Sequence, residues 1–269
     1  MRILFILCIF VLMGSLMAQY DSSDTTAVPP FPWPEGKRCA VSLTFDDARL
    51  TQIDNGIPLL NEYSVKATFY ISPENLLERL DGWKHAVADG HEIGNHTLSH
   101  PCTGNYAFSR DNALEDYDLE RIAAELDGAN EFILAELGVN AKSFAYPCGQ
   151  KFVGRGDSVR SYVPLVAERF LSGRGWLGED SNDPWLCDFS QLLGMESDGK
   201  SFEALKALVD KAAEEGRWLI LAGHEMDESG HQTTQLASLT QLCQYIRDPA
   251  NGIWIDTVET IATYIQQHR

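Results

Sequence analysis

Val41-Ser42-Leu43-Thr44-Phe45-Asp46-Asp47 is the stretch on which the reading of the fold turns. It reads as a buried strand that ends on two adjacent carboxylates. Outward from it, further short apolar runs predict strands over residues 40–45, 67–71, 92–95, 143–146, 170–174 and 218–222. Between and after them, helical patterns fall at 54–63, 74–89, 112–137, 201–215, 234–247 and 258–268. In the longest of these, Leu119, Ile122, Leu126, Ile133, Leu134 and Leu137 recur at helical spacing, and Gly138 follows as a stop. Strand, helix, strand repetition implies parallel strands joined by crossover helices, as an open sheet or a closed barrel. There is no internal repeat, low-complexity block or Gly/Ser linker, so one α/β domain is expected. The segment from Gly173 to Gly178 lacks the spacing of a phosphate cradle and reads as a loop.

The 269 residues include 21 Lys or Arg against 39 Asp or Glu, a formal charge of −18. A nucleic-acid partner is therefore not expected, because phosphate binding needs clustered positive charge. With 44% hydrophobic residues the chain can build a core, and six cysteines are too few for a disulfide scaffold of this size. At the N-terminus, Arg2 precedes an apolar run from Ile3 to Met13, and Ala18 closes a small-residue segment: the pattern of a secretory signal peptide over residues 1–18. Residues 19–37, with Pro29, Pro30, Pro32 and Pro34, predict an extended lead-in to a domain at 38–269. A secreted or periplasmic protein is expected, with no integral membrane segment after cleavage and five cysteines, an odd number.

Folds of this kind carry their chemistry at the C-terminal ends of parallel strands. Asp46 and Asp47 end the first strand, and like charges side by side call for a cation or a shared proton. His91-Glu92-Ile93-Gly94-Asn95-His96-Thr97-Leu98-Ser99-His100 runs a second strand into a turn. His96 and His100 are four apart, the separation that puts two imidazoles on one face of a helical turn within reach of one metal ion. Two imidazoles and a carboxylate suit Zn²⁺, Co²⁺, Ni²⁺ or Fe²⁺. His91, at the start of its strand, is expected to be structural. In Phe144-Ala145-Tyr146-Pro147-Cys148-Gly149-Gln150 the strand is stopped by Pro and Gly, where backbone N–H groups can turn towards an oxyanion. Trp218-Leu219-Ile220-Leu221-Ala222-Gly223-His224 places a histidine just past a strand, where general acids and bases are found.

Taken in order, Thr44 to Asp47, His96-xxx-His100, Phe144 to Gly149 and Gly223-His224 resemble the motifs of the polysaccharide deacetylase family, the NodB-homology group of carbohydrate esterases, across residues 40–225. The resemblance implies a distorted (β/α) barrel and hydrolysis of an N-acetyl or O-acetyl group from an acetylated glycan. By it, Asp47, His96 and His100 hold a divalent metal, Zn²⁺ foremost; Asp46 is the base that deprotonates a water at that metal; His224 is the acid. It also places the Cys148 backbone N–H at the oxyanion, with Tyr146, Gly149 and Leu221 as further oxyanion or substrate-binding residues. The chain departs from the family where many members carry an arginine that positions the aspartate, at Ala145, and where they carry an aromatic, at Cys148. Asp180 and Asp183 only loosely resemble the fourth motif. Two alternatives follow: a weak or inactive glycan-binding relative, motivated by the missing arginine, and a non-haem iron oxygenase using the same Asp/His/His set. Trp176, Trp185 and Tyr106 are candidate sugar-stacking aromatics, and Cys102 with Cys148 is a candidate disulfide beside the site.

Overall fold

In chain order the strands are β1 (Cys39–Asp46), β2 (Thr68–Ile71), β3 (Glu92–Asn95), β4 (Ser143–Ala145), β5 (Phe152–Val153), β6 (Arg160–Ser161), β7 (Ser172–Arg174), β8 (Met195–Glu196), β9 (Trp218–Gly223), β10 (Glu225–Asp227), β11 (Thr233–Gln235) and β12 (Ile253–Ile255). The helices are α1 (Ile57–Glu62), α2 (Pro73–Glu78), α3 (Leu80–Ala88), α4 (Leu119–Leu137), α5 (Val163–Arg169), α6 (Phe202–Glu215), α7 (Leu236–Arg247) and α8 (Val258–His268). This computed structural model describes residues 29–269; the expected signal peptide and the first ten residues of the lead-in, 19–28, lie outside the described residues. Phe31–Arg269 forms one compact unit.

The main sheet runs β7-β4-β3-β2-β1-β9-β8, with β12 on the first half of β1, and all of its pairings are parallel. Its two ends approach one another, because Leu192, just before β8, forms a parallel bridge to Arg174 of β7. An irregular segment thus stands where a regular barrel would have a full strand, and the result is the expected distorted β/α barrel. β1 is buried along its whole length, as a central strand covered on both faces must be. Register aligns Asp46 with Tyr70, Ile71 with Asn95, Ala145 with Arg174 and Phe45 with Gly223, so the polar residues collect at one rim.

Local rules explain the helix boundaries. The α4 helix begins at Asp118, whose carboxylate accepts the Arg121 N–H, and ends at Gly138 in the left-handed region (φ 69°). The residues from 112 to 117, read as helix, instead form a short 3-10 turn and extended chain ahead of that cap. The pattern over 74–89 divides at Arg79 (φ −133°), whose guanidinium is drawn to Asp54. The end of the lead-in is not mere tether: Phe31 and Trp33 are buried in an aromatic cluster with Trp218 and α8. Trp185 joins the same cluster against Phe31 (5.0 Å), which removes it from the candidate sugar platforms.

Candidate active site

A cavity of about 630 Å³ opens at the C-terminal rim and is lined by Asp46, Asp47, His96, His100, Tyr146, Cys148 and His224 among others. Of the residues expected there, Leu221 and Gly149 are not in its lining. Leu221 is buried in the core beside Leu43, and the Gly149 N–H donates to the Tyr146 carbonyl (2.8 Å). Tyr146 is almost wholly buried, and its hydroxyl donates to the Ser190 carbonyl (2.8 Å). His91 sits away from the cavity between Ala67 N–H and Asn61, and burial pushes its pKa down to about 4.

Asp47 Oδ1 lies 3.5 Å from both His96 Nε2 and His100 Nε2, and the three donor atoms fall within 4.8 Å of one another. His96 Nδ1 is 2.8 Å from the Ala145 carbonyl, which can only accept, so Nδ1 carries the hydrogen and Nε2 presents its lone pair. For His100, burial and its neighbour His96 push the pKa down to about 4, so this imidazole is neutral near pH 7. Burial alone would raise the Asp47 pKa, but His96, His100 and Arg49 outweigh it and keep the carboxylate ionised. Lone pairs turned on one point repel unless a cation lies between them. Ligand atoms of a tetrahedral ion at about 2.1 Å stand about 3.4 Å apart, so the donor set fits a divalent metal.

The two histidines are not on a helical turn, as their spacing suggested. They sit on a loop that doubles back through left-handed residues at Thr97 (φ 65°) and His100 (φ 51°). Buried Asn95 fastens this loop: its Nδ2 donates to the Leu126 carbonyl of α4 (2.9 Å), while its Oδ1 accepts the Thr97 N–H (2.8 Å). Ser99 is held by Glu125 of the same helix. Asp47 (φ 73°) and Cys148 (φ 53°) are also left-handed. Such conformations cost energy in residues with a side chain and gather at sites where geometry is imposed. A disulfide joins Cys102 to Cys148 and so ties the loop after His100 to the segment after β4; Cys39, Cys187 and Cys243 are free.

Asp46 is not part of that donor set. Its carboxylate is paired with the guanidinium of Arg174, which is fully buried at the end of β7. Burial pushes the Asp46 pKa up, but Arg174, with His96 and His224, outweighs it and leaves the pKa below the ordinary carboxylate value. Arg174 is the register partner of Ala145, so the arginine missing from β4 is supplied by the neighbouring strand. Its only sequence signal was a cation closing the strand predicted over 170–174, where that strand overlaps the segment from Gly173 to Gly178 read as a loop.

His224 has a partner that sequence reasoning also missed. Its Nδ1 is 2.7 Å from Asp198 Oδ2, and its backbone N–H donates to Asp198 Oδ1 (3.2 Å). Thr234 also donates to Asp198 (2.9 Å), and Gly223 leaves room for this group, since a Cβ there would stand 2.4 Å from Thr234 Oγ1. Burial works against the charged imidazolium, but Asp198 with Asp46 and Asp47 outweighs it and raises the His224 pKa. Asp180 is tied to Lys211 and Arg217, and Asp183 caps a turn at Trp185.

Residues 34–161 match the sequence profile of the polysaccharide deacetylase family. Over that stretch, just under half of its length, the chain is similar to the polysaccharide deacetylases. Among curated relatives, a gellan lyase from Bacillus sp is 27% identical over 259 residues, covering 87% of this chain and 10% of that protein. A peptidoglycan-N-acetylglucosamine deacetylase from Bacillus cereus is 34% identical over 93 residues, 31% of this chain and 34% of the relative. The chain thus spans between a tenth and about a third of these relatives' length. Among solved structures, a family 4 carbohydrate esterase from Streptomyces lividans, in complex with acetate, superposes with a TM-score of 0.56 at 16% identity, covering 87% of this chain and 97% of that one. At that identity the likeness speaks to the fold.

Proposed function

We propose that this polysaccharide deacetylase homologue is a metal-dependent hydrolase that removes an acetyl group from a glycan. The observation that carries the reading is the meeting, in one cavity, of a three-donor cation site, a buried carboxylate held ionised by Arg174, and a histidine backed by a carboxylate. Asp47, His96 and His100 would hold the ion, Zn²⁺ foremost, and when bound it supplies Lewis acidity towards the acetyl carbonyl and towards a water. Asp46 accepts the proton of the attacking water, and Arg174 keeps that carboxylate ionised and aimed. His224, whose pKa Asp198 helps to raise, gives its Nε2 proton to the departing nitrogen or oxygen. The Cys148 backbone N–H, on a segment bent into the cavity, receives the developing oxyanion.

The glycan-binding alternative drew on the missing arginine, and Arg174 removes that motive. The disulfide supports export to an oxidising compartment. The test is acetate release from chitin-like oligomers, peptidoglycan, poly-N-acetylglucosamine and acetylated xylan, with metal analysis alongside. Asp46→Asn is expected to lower release from the best substrate by about 10³-fold, and His96→Ala to lose both metal and activity. Unchanged release in both variants overturns the assignment.

A further inference from the structure

Beside the reacting groups, the cavity wall carries two aromatics that no step above uses. Phe108 is 70% exposed and Tyr106 46% exposed, and both line the same cavity as Asp46 and His224. Their rings are nearly parallel (5°) with centroids 5.6 Å apart, and Phe108 lies 6.4 Å from the His100 ring. A phenyl ring left this far in water is unfavourable unless something covers it. The segment beneath is held firmly: buried Ser109 accepts the Cys102 N–H and donates to the Cys102 carbonyl (both 2.9 Å), and Thr103 N–H donates to Gln150 (2.7 Å). The rings are therefore presented on a rigid support, next to the disulfide.

The charge of the cavity narrows what could cover them. Asp46, Asp47 and Glu74 contribute carboxylates to its lining, while Arg49 is engaged by Asp47 (2.9 Å) and Glu225 (3.8 Å) and Arg174 by Asp46. The remaining positive charge, the proposed ion and His224, sits at the reacting centre, and a chain of charge −18 disfavours an anionic polymer. The C–H face of a neutral pyranose, by contrast, suits an exposed aromatic face, with its hydroxyls left to water. We infer that Phe108 and Tyr106 form a stacking subsite for a neutral sugar ring adjoining the acetylated unit, so that the protein selects uncharged oligosaccharides over single sugars and over uronic-acid polymers. The inference rests on the proposed function only in naming a glycan as the ligand.

Binding is measured on Asp46→Asn, which is expected to hold substrate without turnover, by calorimetry with an N-acetylglucosamine pentamer, an acetylated xylopentaose, the monosaccharides and an acetylated galacturonate oligomer. One neutral pentamer is expected to bind about tenfold tighter than its monosaccharide. Adding Phe108→Ala should weaken that pentamer about tenfold, and Phe108→Trp should restore it. An unchanged affinity in Phe108→Ala, or equal binding of the galacturonate oligomer, overturns the subsite. Hydrolysis of 4-nitrophenyl acetate by the native protein reads the hydrolytic site separately. Its failure would count against the proposed function while the binding series still decides the subsite.

Discussion

Cys148 and His224 face one cavity from walls that are built differently. On the first wall, the His96–His100 loop is pinned by a disulfide, by Asn95 and Glu125 bonds to α4, and by left-handed residues that leave the backbone few alternatives. On the second, His224 hangs from buried hydrogen bonds to Asp198 and is packed against the edge of Trp176 (4.9 Å), with no covalent tie. The contrast follows from what each wall holds. Three donors aimed at one point repel in the absence of a cation, so their loop needs stiff anchoring. A group that must gain and lose a proton needs a partner that sets its charge. Between the walls, Gln52 Nε2 donates to both the Asp46 and His224 carbonyls (2.7 and 2.8 Å) and locks the ends of β1 and β9 together.

The strongest way to break this arrangement is at the pair between the walls. Arg174→Met leaves a buried carboxylate without its partner and is expected to cost about 3–5 kcal/mol in urea unfolding, with acetate release falling at least as far as in Asp46→Asn. In the native protein the depressed Asp46 pKa contributes stability that is present above the ordinary carboxylate pKa and lost as pH falls through the folded value. The variant should lose that acid-side dependence, and Asp46→Asn with Arg174→Met should recover much of the stability. Recovery that fails would show that Arg174 matters through packing rather than charge.

Opening the first wall comes next. The bridge from Cys102 to Cys148 closes a loop with a sequence separation of 46. Cys102→Ser with Cys148→Ser should cost about 2–4 kcal/mol and weaken zinc affinity, read by thermal melting and competition with a chelator. Zinc binding as tight as in the native protein would show that α4 alone anchors the loop.

The second wall gives the smallest effect and the most specific one. Asp198→Asn keeps the shape but removes the charged partner that works most directly against burial at His224, so the His224 pKa falls. Since the acid form is needed, activity disappears as pH rises through that pKa. The alkaline limb of the rate profile should therefore move to lower pH, with about a tenfold loss at neutral pH. A limb that stays in place would assign the acid to another group.

Much of the rim was legible in sequence because its residues are local. Asp46 and Asp47 sit at the end of an apolar run, and His96 and His100 are close enough that any turn brings them together. The HxxxH spacing was nonetheless read as a helical turn, since spacing does not reveal the left-handed backbone at Thr97 and His100. The strand pattern foresaw β1, β2, β3, β4, β7 and β9 but not β8 and β12 of the same sheet, nor the short pairs β5–β6 and β10–β11; β4 and β7, just as short, were read from longer apolar runs over 143–146 and 170–174. Gly149 and Leu221 were expected in the cavity by their motif neighbours, and only the packed chain shows a committed N–H and a core side chain there.

What the sequence by itself determined is the parallel β/α class and which polar residues, Asp46, Asp47, His96, His100 and His224, meet at the rim. Tertiary structure alone decided which groups set their charge. Arg174 reaches Asp46 across 128 residues and Asp198 reaches His224 across 26, and neither separation has a period or a motif. Their meeting depends on the register of parallel strands, where Ala145 lies beside Arg174. A strand's own residues state that it is buried, but the neighbour it pairs with follows from how the whole barrel packs.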